Sequence, residues 1–191
     1  GHSERAVLAG ECEKSTCYHV FPEYGFVELV GSDDKPVTNE NSMGEVIVTG
    51  FLNHVFPFIR YRTMDLAWTL NATCQCGRNY PLLKKVEGRL QELIITKTGR
   101  LISMTAINMH SDVFDNVKQF QFFQEKKGEV IFNIIKKDTY TNRDTEQIEK
   151  ELQKKLGADV DLQICFVDHI PRTQSGKYRW LIQKLPIEFE H

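Results

Sequence analysis

Apolar and polar positions alternate over residues 18–30 (YHVFPEYGFVELV) and 44–51 (GEVIVTGF), a pattern that predicts strands, and residues 31–43 between them are rich in turn formers. Further strand-like stretches fall at 58–63 and 66–70, interrupted at Asp65. No helical period occurs anywhere in 18–70, so this part is expected to be a small, mostly β unit.

The pattern changes after Gly88. Residues 92–97 (ELIITK) and 100–103 (RLIS) flank Thr98-Gly99 as a hairpin, and Thr105 to Phe114 reads as a short helix capped by Thr105. Residues 118–124 and 129–136 alternate around Lys126-Lys127-Gly128, a second hairpin. Thr141 to Leu156 places Ile148, Leu152 and Leu156 at helical spacing, starting at Asn142 or Arg143 and ending at Gly157. A strand at 160–167 and a polar loop at 168–179 follow. This β-α-β-β-α-β order predicts a compact sheet covered by helices on one face. The fold class is therefore α+β, a β-rich part over 1–88 followed by a compact α/β domain over 89–191, with the boundary near Glu87 to Leu90.

Bulk properties narrow the functional classes. Hydrophobic residues make up 41% of the 191, enough for a packed core. Lys plus Arg is 24 and Asp plus Glu is 26, a net charge of −2, so no positive field recommends a nucleic-acid partner. The apolar runs are too short to insert in a bilayer, and the first residues lack the layout of a secretion signal, so a cytoplasmic location is expected. Gly1-His2-Ser3 is either a tag scar or native sequence.

Four places carry candidate chemistry. In Pro171-Arg-Thr-Gln-Ser-Gly-Lys177-Tyr-Arg, Gly176 can turn the backbone so that Lys177 is presented outward, although a solvent-facing Lys is the plainer reading. In Arg60-Tyr-Arg62-Thr-Met-Asp65, the Asp either accepts hydrogen bonds, for example from sugar hydroxyls, or closes an internal Arg–Asp salt bridge. Gly88-Arg89 stands at the expected junction, where the Arg either reaches into a cleft or covers the linker. Finally, Cys12-x4-Cys17-x-His19 and Cys74-x-Cys76 offer soft ligands from two loop-like regions. Zinc takes four of these in a tetrahedron; buried free thiols and a redox pair are the other readings. Cys17 and His19 lie two apart on one strand face and compete for the fourth position. Cys165 stands alone in the apolar run Leu162 to Val167.

At these residues the sequence resembles the phenylacetate–CoA ligase branch of the adenylate-forming (AMP-binding) ligase superfamily, specifically its CapK-type members of capsular polysaccharide biosynthesis. Gly1-His2-Ser3-Glu4 resembles the end of the Tyr-Gly-x-Ser/Thr-Glu motif without the Tyr, which favours native sequence over a tag. Gly44-Glu-Val-Ile-Val-Thr49 and Pro57-Phe-Ile-Arg-Tyr-Arg-Thr-Met-Asp65 resemble the strand and ribose-binding Asp motif, with Met64 where many relatives have Gly or Arg. Cys74-x-Cys76-Gly-Arg78 and Gly88-Arg89-Leu-Gln91-Glu-Leu-Ile resemble the segments leading into the hinge, and Pro171-Arg-Thr-x-Ser-Gly-Lys177 the final motif with its catalytic Lys.

The resemblance implies ATP-dependent activation of a small carboxylic acid as an acyl-adenylate, then rotation of the small domain and transfer of the acyl group to coenzyme A. Transfer to a sugar amine or hydroxyl is the alternative, and a non-catalytic binding or scaffold remnant is the rival reading. By the same resemblance Glu4 holds Mg²⁺, Asp65 accepts both ribose hydroxyls of ATP/AMP, Arg89 also contacts the ribose, and Lys177 bridges carboxylate and phosphate. Gln91 falls where relatives place a hinge Asp or Lys. For a structural Zn²⁺ held by Cys12, Cys74 and Cys76, relatives incline the fourth ligand to His19, with Cys17 the runner-up. The phosphate loop and acyl pocket of such enzymes lie upstream of the Glu4 motif, so this chain is expected to be a carboxyl-terminal fragment, inactive alone, whose carboxylate is unreadable. Homodimerisation of the full-length enzyme is left open.

Overall fold

The structure, a computed structural model, describes residues 4–107, 109, 111–174 and 176–187. These divide into two compact units, one up to Leu90 and one over Gln91–Ile187.

The first unit is a six-stranded antiparallel sheet of β1 (Ala9–Cys12), β2 (Ser15–Val20), β3 (Gly25–Val30), β4 (Met43–Gly50), β5 (Tyr61–Leu70) and β6 (Leu82–Arg89), in the order β1-β2-β6-β5-β4-β3. No helix interrupts it among the described residues, as the absence of a helical period predicts. Its core gathers Ala6, Val20, Leu29, Val46, Val48, Ala67 and Leu83. The stretch 18–30 is two strands instead of one, because Phe21 to Tyr24 form a turn closed by Tyr24 N–H to Phe21 O at 3.1 Å. Strands β1 and β6 were not foreseen. Gly25 is required for packing: a Cβ there would lie 2.3 Å from Ala6 O and 2.9 Å from Thr49 O, so only Gly lets the Ala6 segment settle on β3 and β4.

Asp65 does not end a strand, as the sequence pattern suggested, but sits in the middle of β5. Between the pairs Ile47↔Arg62 and Glu45↔Leu66, β4 advances by two residues and β5 by four, so Thr63, Met64 and Asp65 form a bulge. Met64 takes φ 63°, and Thr63 fastens the bulge by donating from Oγ1 to Val46 O at 2.9 Å and accepting from the Asp65 N–H at 3.1 Å.

The second unit keeps the expected element order: β7 (Leu93–Ile95), β8 (Leu101–Ser103), α1 (Met104–Ile107), β9 (Val117–Lys126), β10 (Glu129–Lys136), α2 (Asn142–Leu156) and β11 (Asp161–Phe166), with an unforeseen β12 (Leu181–Gln183). The main sheet runs β11-β10-β9-β12, antiparallel only at β9/β10, while β7 and β8 pair separately as a ribbon turned at Gly99, φ 87°. The buried Gln124 side chain joins ribbon to sheet, accepting from Ile95 N–H at 2.8 Å and donating to Ile95 O at 2.7 Å. Ile148, Leu152 and Leu156 of α2 are fully buried with Phe122, Phe132 and Ile134. The helix expected over 105–114 is shorter: α1 covers four residues, Ser103 Oγ rather than Thr105 accepts the Ala106 N–H at 3.2 Å, and a separate 3₁₀ turn spans Asp112–Phe114. Asn108 and His110 of that expected helix lie outside the described residues.

Candidate functional site

In the first unit, β5 and β6 place Asp65 directly opposite Arg89. The Arg89 Nε lies 3.8 Å from Asp65 Oδ1, an ion pair too long for a hydrogen bond. Asp65 is 23% exposed and Arg89 53%, so both can be reached from solvent. Gly88, at φ 120°, accompanies a register shift between Leu66 and Ala67 that sets Arg89 opposite the bulge. The neighbouring arginines are engaged elsewhere: Arg62 Nε donates to the buried Glu45 Oε2 at 3.0 Å and its Nη1 to Asp34 at 3.0 Å, while Arg60 donates to Glu28 at 3.1 Å. The internal Arg–Asp salt bridge weighed for Asp65 is therefore not closed by Arg60 or Arg62; the arginine beside Asp65 is Arg89. Glu4, half-buried, is the first described residue and precedes the left-handed Arg5; Gly1, His2 and Ser3 of that motif lie outside the described residues.

At the other end of the same sheet, the β1–β2 hairpin faces the loop between β5 and β6. One ligand atom each from Cys12, His19, Cys74 and Cys76 lie within 4.8 Å of one another. Cys12 Sγ is 3.6 Å from Cys74 Sγ, and Cys76 Sγ is 3.3 Å from His19 Nε2. A tetrahedral zinc site with metal–sulfur bonds of about 2.3 Å sets ligands roughly 3.8 Å apart, so the group needs only small shifts, the two close pairs outward and the wider ones inward. Gly77, φ 80°, curls the Cys-x-Cys turn, with its N–H bonded to Cys74 O at 3.2 Å. The buried His19 Nδ1 has no partner among the described residues. Cys17 stays apart: its sulfur accepts from Ser15 Oγ at 2.9 Å.

The thiols are electrostatically unequal. The Arg78 backbone N–H pulls Cys76 down to about 6 against the cost of desolvation, helped by the Arg78 guanidinium and the neighbouring thiols. The Cys76 N–H also pulls Cys74 down, but desolvation and the Cys76 and Cys12 sulfurs outweigh it and push Cys74 up to about 11. Arg78, itself paired with Glu13 at 3.1 Å, therefore favours a thiolate at Cys76. Sequence reasoning gave Arg78 no role; its place directly after Cys76-Gly77 was the available signal.

In the second unit, Lys177 is exposed at the end of a tight turn. Thr173 closes it, its N–H donating to Lys177 O at 3.0 Å and its Oγ1 accepting from the Lys177 N–H at 2.9 Å. Gly176 takes φ 77°, donates to Thr173 O at 2.8 Å and accepts from Arg172 Nη1 at 3.2 Å. Beside this loop lies a cavity of about 550 Å³ lined by Asp112, Phe120, Arg172, Tyr178 and Trp180. Ser175 lies outside the described residues. Gln91 is exposed in the 3₁₀ turn Leu90–Glu92.

Residues 94–184 match the family of the CapK C-terminal domain. Among curated proteins, the chain is 26% identical to Protein CapK of Staphylococcus aureus, covering 74% of this chain and 32% of that protein. It is 24% identical to the phenylacetate-coenzyme A ligase of Aromatoleum evansii, covering 95% and 43% respectively. The chain thus spans less than half the length of either relative. Its fold is similar to that of 2-hydroxyisobutyryl-CoA ligase crystallised in the postadenylation state with 2-HIB-AMP, with a TM-score of 0.56 at 17% identity over 92% of this chain and 39% of the other. Fatty acyl-adenylate ligases from E. coli and L. pneumophila align with a TM-score of 0.50 at 21% identity, covering 91% and 33%.

Proposed function

We propose that this chain, whose residues 94–184 carry the CapK C-terminal domain and which resembles phenylacetate–CoA ligase along most of its length, is the carboxyl-terminal part of an AMP-forming acid–thiol ligase. The parent protein activates a small carboxylic acid with ATP and passes the acyl group to coenzyme A. The observation that carries the reading is the pairing of Asp65 with Arg89 across β5 and β6. A carboxylate held in a bulge by Thr63, with an arginine opposite at 3.8 Å, can accept two hydrogen bonds from a vicinal diol while the guanidinium supports its charge. That is the chemistry of a ribose anchor.

Lys177 is assigned to adenylation. A cation beside the forming acyl phosphate lowers the repulsion between carboxylate and phosphate, and a glycine turn that exposes the lysine fits this task. Glu4 is assigned to Mg²⁺ by the resemblance of its motif. The two units would change their relation between the half-reactions, with Gln91 at the pivot, so a neutral residue there would tune the switch. The exposed apolar strip Phe51, Leu52, Val55, Phe56 and Ile59 supports a longer parent, because a surface this apolar suits burial against further polypeptide.

The Cys12, His19, Cys74 and Cys76 group is assigned to one structural Zn²⁺. The donor set is that of structural zinc, and the ion would fasten the β1–β2 hairpin to the 71–81 loop. The resemblance to CapK-type members of capsular polysaccharide biosynthesis supplies a second acceptor reading, in which the acyl group passes to a sugar amine or hydroxyl. Carboxylate-dependent exchange of pyrophosphate into ATP by the full-length parent tests the ligase reading, and exchange that is absent across aryl, hydroxy and fatty acids contradicts it. Adding coenzyme A or amino sugars to the same reaction decides between the acceptors.

A further inference from the structure

Metal ligation does not exhaust the chemistry of the cysteine cluster. Cys12 and Cys74 are 62 positions apart in sequence, yet their sulfurs lie 3.6 Å from each other. A disulfide holds its sulfurs about 2.05 Å apart, so closure needs an approach of roughly 1.5 Å. Cys74 lies in the loop between β5 and β6, outside any strand, and Cys12 ends β1 beside a register irregularity. Neither has to break a regular ladder to move. The other thiols are worse placed: Cys76 is turned toward His19 Nε2 and is separated from Cys74 by one residue, Cys17 is bonded to Ser15, and Cys165 belongs to β11 of the second unit. Access is provided by a cavity of about 480 Å³ lined by Cys12, Glu13, His19, Phe21, Arg78 and Tyr80. It is roomy enough for a small hydroperoxide.

We propose that Cys12 and Cys74 form an oxidative modification site, converted by a small hydroperoxide into a disulfide, and that this bond and a bound metal ion exclude one another; the exclusion rests on the zinc assignment above. The Cys12 sulfur, which lines this cavity, attacks the peroxide, forming an S–O bond as the O–O bond breaks, and the leaving oxygen departs as water with the proton of that thiol. The second sulfur then attacks the sulfenic acid, forming the S–S bond and releasing the remaining oxygen as water with the second proton. Two thiols lose two electrons, and hydrogen peroxide is reduced to two waters. Oxidation removes two of the four donors, leaving Cys76 and His19, too few to close a tetrahedral site.

The test uses the whole chain, reduced, stripped of metal with a chelator and then treated with stoichiometric hydrogen peroxide. Peptide mapping without reductant is expected to find Cys12 joined to Cys74. Prior loading with Zn²⁺ should slow the linkage by about tenfold or more, and oxidised protein should take up Zn²⁺ only after reduction. Cys76→Ser should still form the link, and Cys17→Ser should match the unaltered chain. A dominant Cys74–Cys76 or Cys12–Cys76 link, or sulfinic acids without any link, overturns the proposal. Reduced protein that forms the Cys12–Cys74 link but binds no Zn²⁺ removes the metal assignment and the exclusion, while the thiol pair stands.

Discussion

Asp65 and Arg89 face each other across β5 and β6 with Nε and Oδ1 3.8 Å apart, close enough to share charge and too far to satisfy the carboxylate by a hydrogen bond. A purely structural ion pair would be expected to close to hydrogen-bond length, as Arg62 and Glu45 do in the same sheet. If the pair anchors a ribose, Asp65→Asn in the full-length parent should weaken ATP binding by about 10- to 100-fold, the loss of two charge-assisted hydrogen bonds. Arg89→Ala should weaken it less, and the double variant should fall short of the sum because the two residues act together. Calorimetry with AMP reads all three, and unchanged affinity in Asp65→Asn contradicts the role.

Gly25→Ala should destabilise the first unit by about 1–3 kcal/mol, the usual penalty for forcing an extra methyl into a packed site. The added Cβ meets two backbone oxygens, of Ala6 and Thr49, which cannot rotate away as a side chain would. Denaturant unfolding measures this. A neutral effect would mean that the segment carrying Glu4 is not seated on β3 and β4 as described.

Acid should act on the second unit through two aspartates. Asp144 is held below its ordinary 3.8 first by the Thr141 hydroxyl and then by Asn116, and Asp159 first by Thr96 and then by Thr98. Since the unfolded chain takes up these protons near 3.8 and the folded chain only at lower pH, their stabilisation is complete above 3.8 and is lost as pH falls through the folded values. Thermal melts from neutral pH downward should show Tm falling in that window. Asp144→Asn and Asp159→Asn should melt lower at neutral pH and show a shallower acid slope; an unchanged slope contradicts the linkage.

Much of the second unit was legible because its signals are local. The spacing of Ile148, Leu152 and Leu156 and the stop at Gly157 define α2, and Lys127-Gly128 marks the β9–β10 hairpin. What escaped was set by tertiary pairing. Strand β6, in which Lys84, Lys85 and Val86 are all exposed, has little apolar alternation and is a strand because β2 and β5 flank it. Likewise β12 is three residues long and exists because β9 offers it an edge. The bulge at Asp65 looked like a strand break because Thr63-Met64-Asp65 interrupts the apolar run, and only the cross-strand register shows the chain continuing through it. At the cysteines, sequence spacing left Cys17 and His19 level. The hydrogen bond from Ser15 to Cys17 separates them, a contact no spacing rule encodes.

Protein purified without added metal should contain about one zinc per chain by elemental analysis. Cys74→Ser should lose the metal and much of its thermal stability, whereas Cys17→Ser should keep both. Well-folded protein free of zinc, or equal loss in the two variants, contradicts the assignment of Cys12, His19, Cys74 and Cys76 as the ligand set.

The most direct test of the ligase reading separates its two half-reactions in the full-length parent carrying Lys177→Ala. Lys177 is exposed on a turn held by backbone and Thr173 bonds, so its truncation should leave folding intact. Carboxylate-dependent pyrophosphate exchange should fall by roughly two to four orders of magnitude, as expected when an electrostatic contact to a transition state is lost. Thioester formation from chemically supplied acyl-adenylate and coenzyme A should fall far less. Equal loss in both half-reactions, or exchange that survives the substitution, would contradict the account.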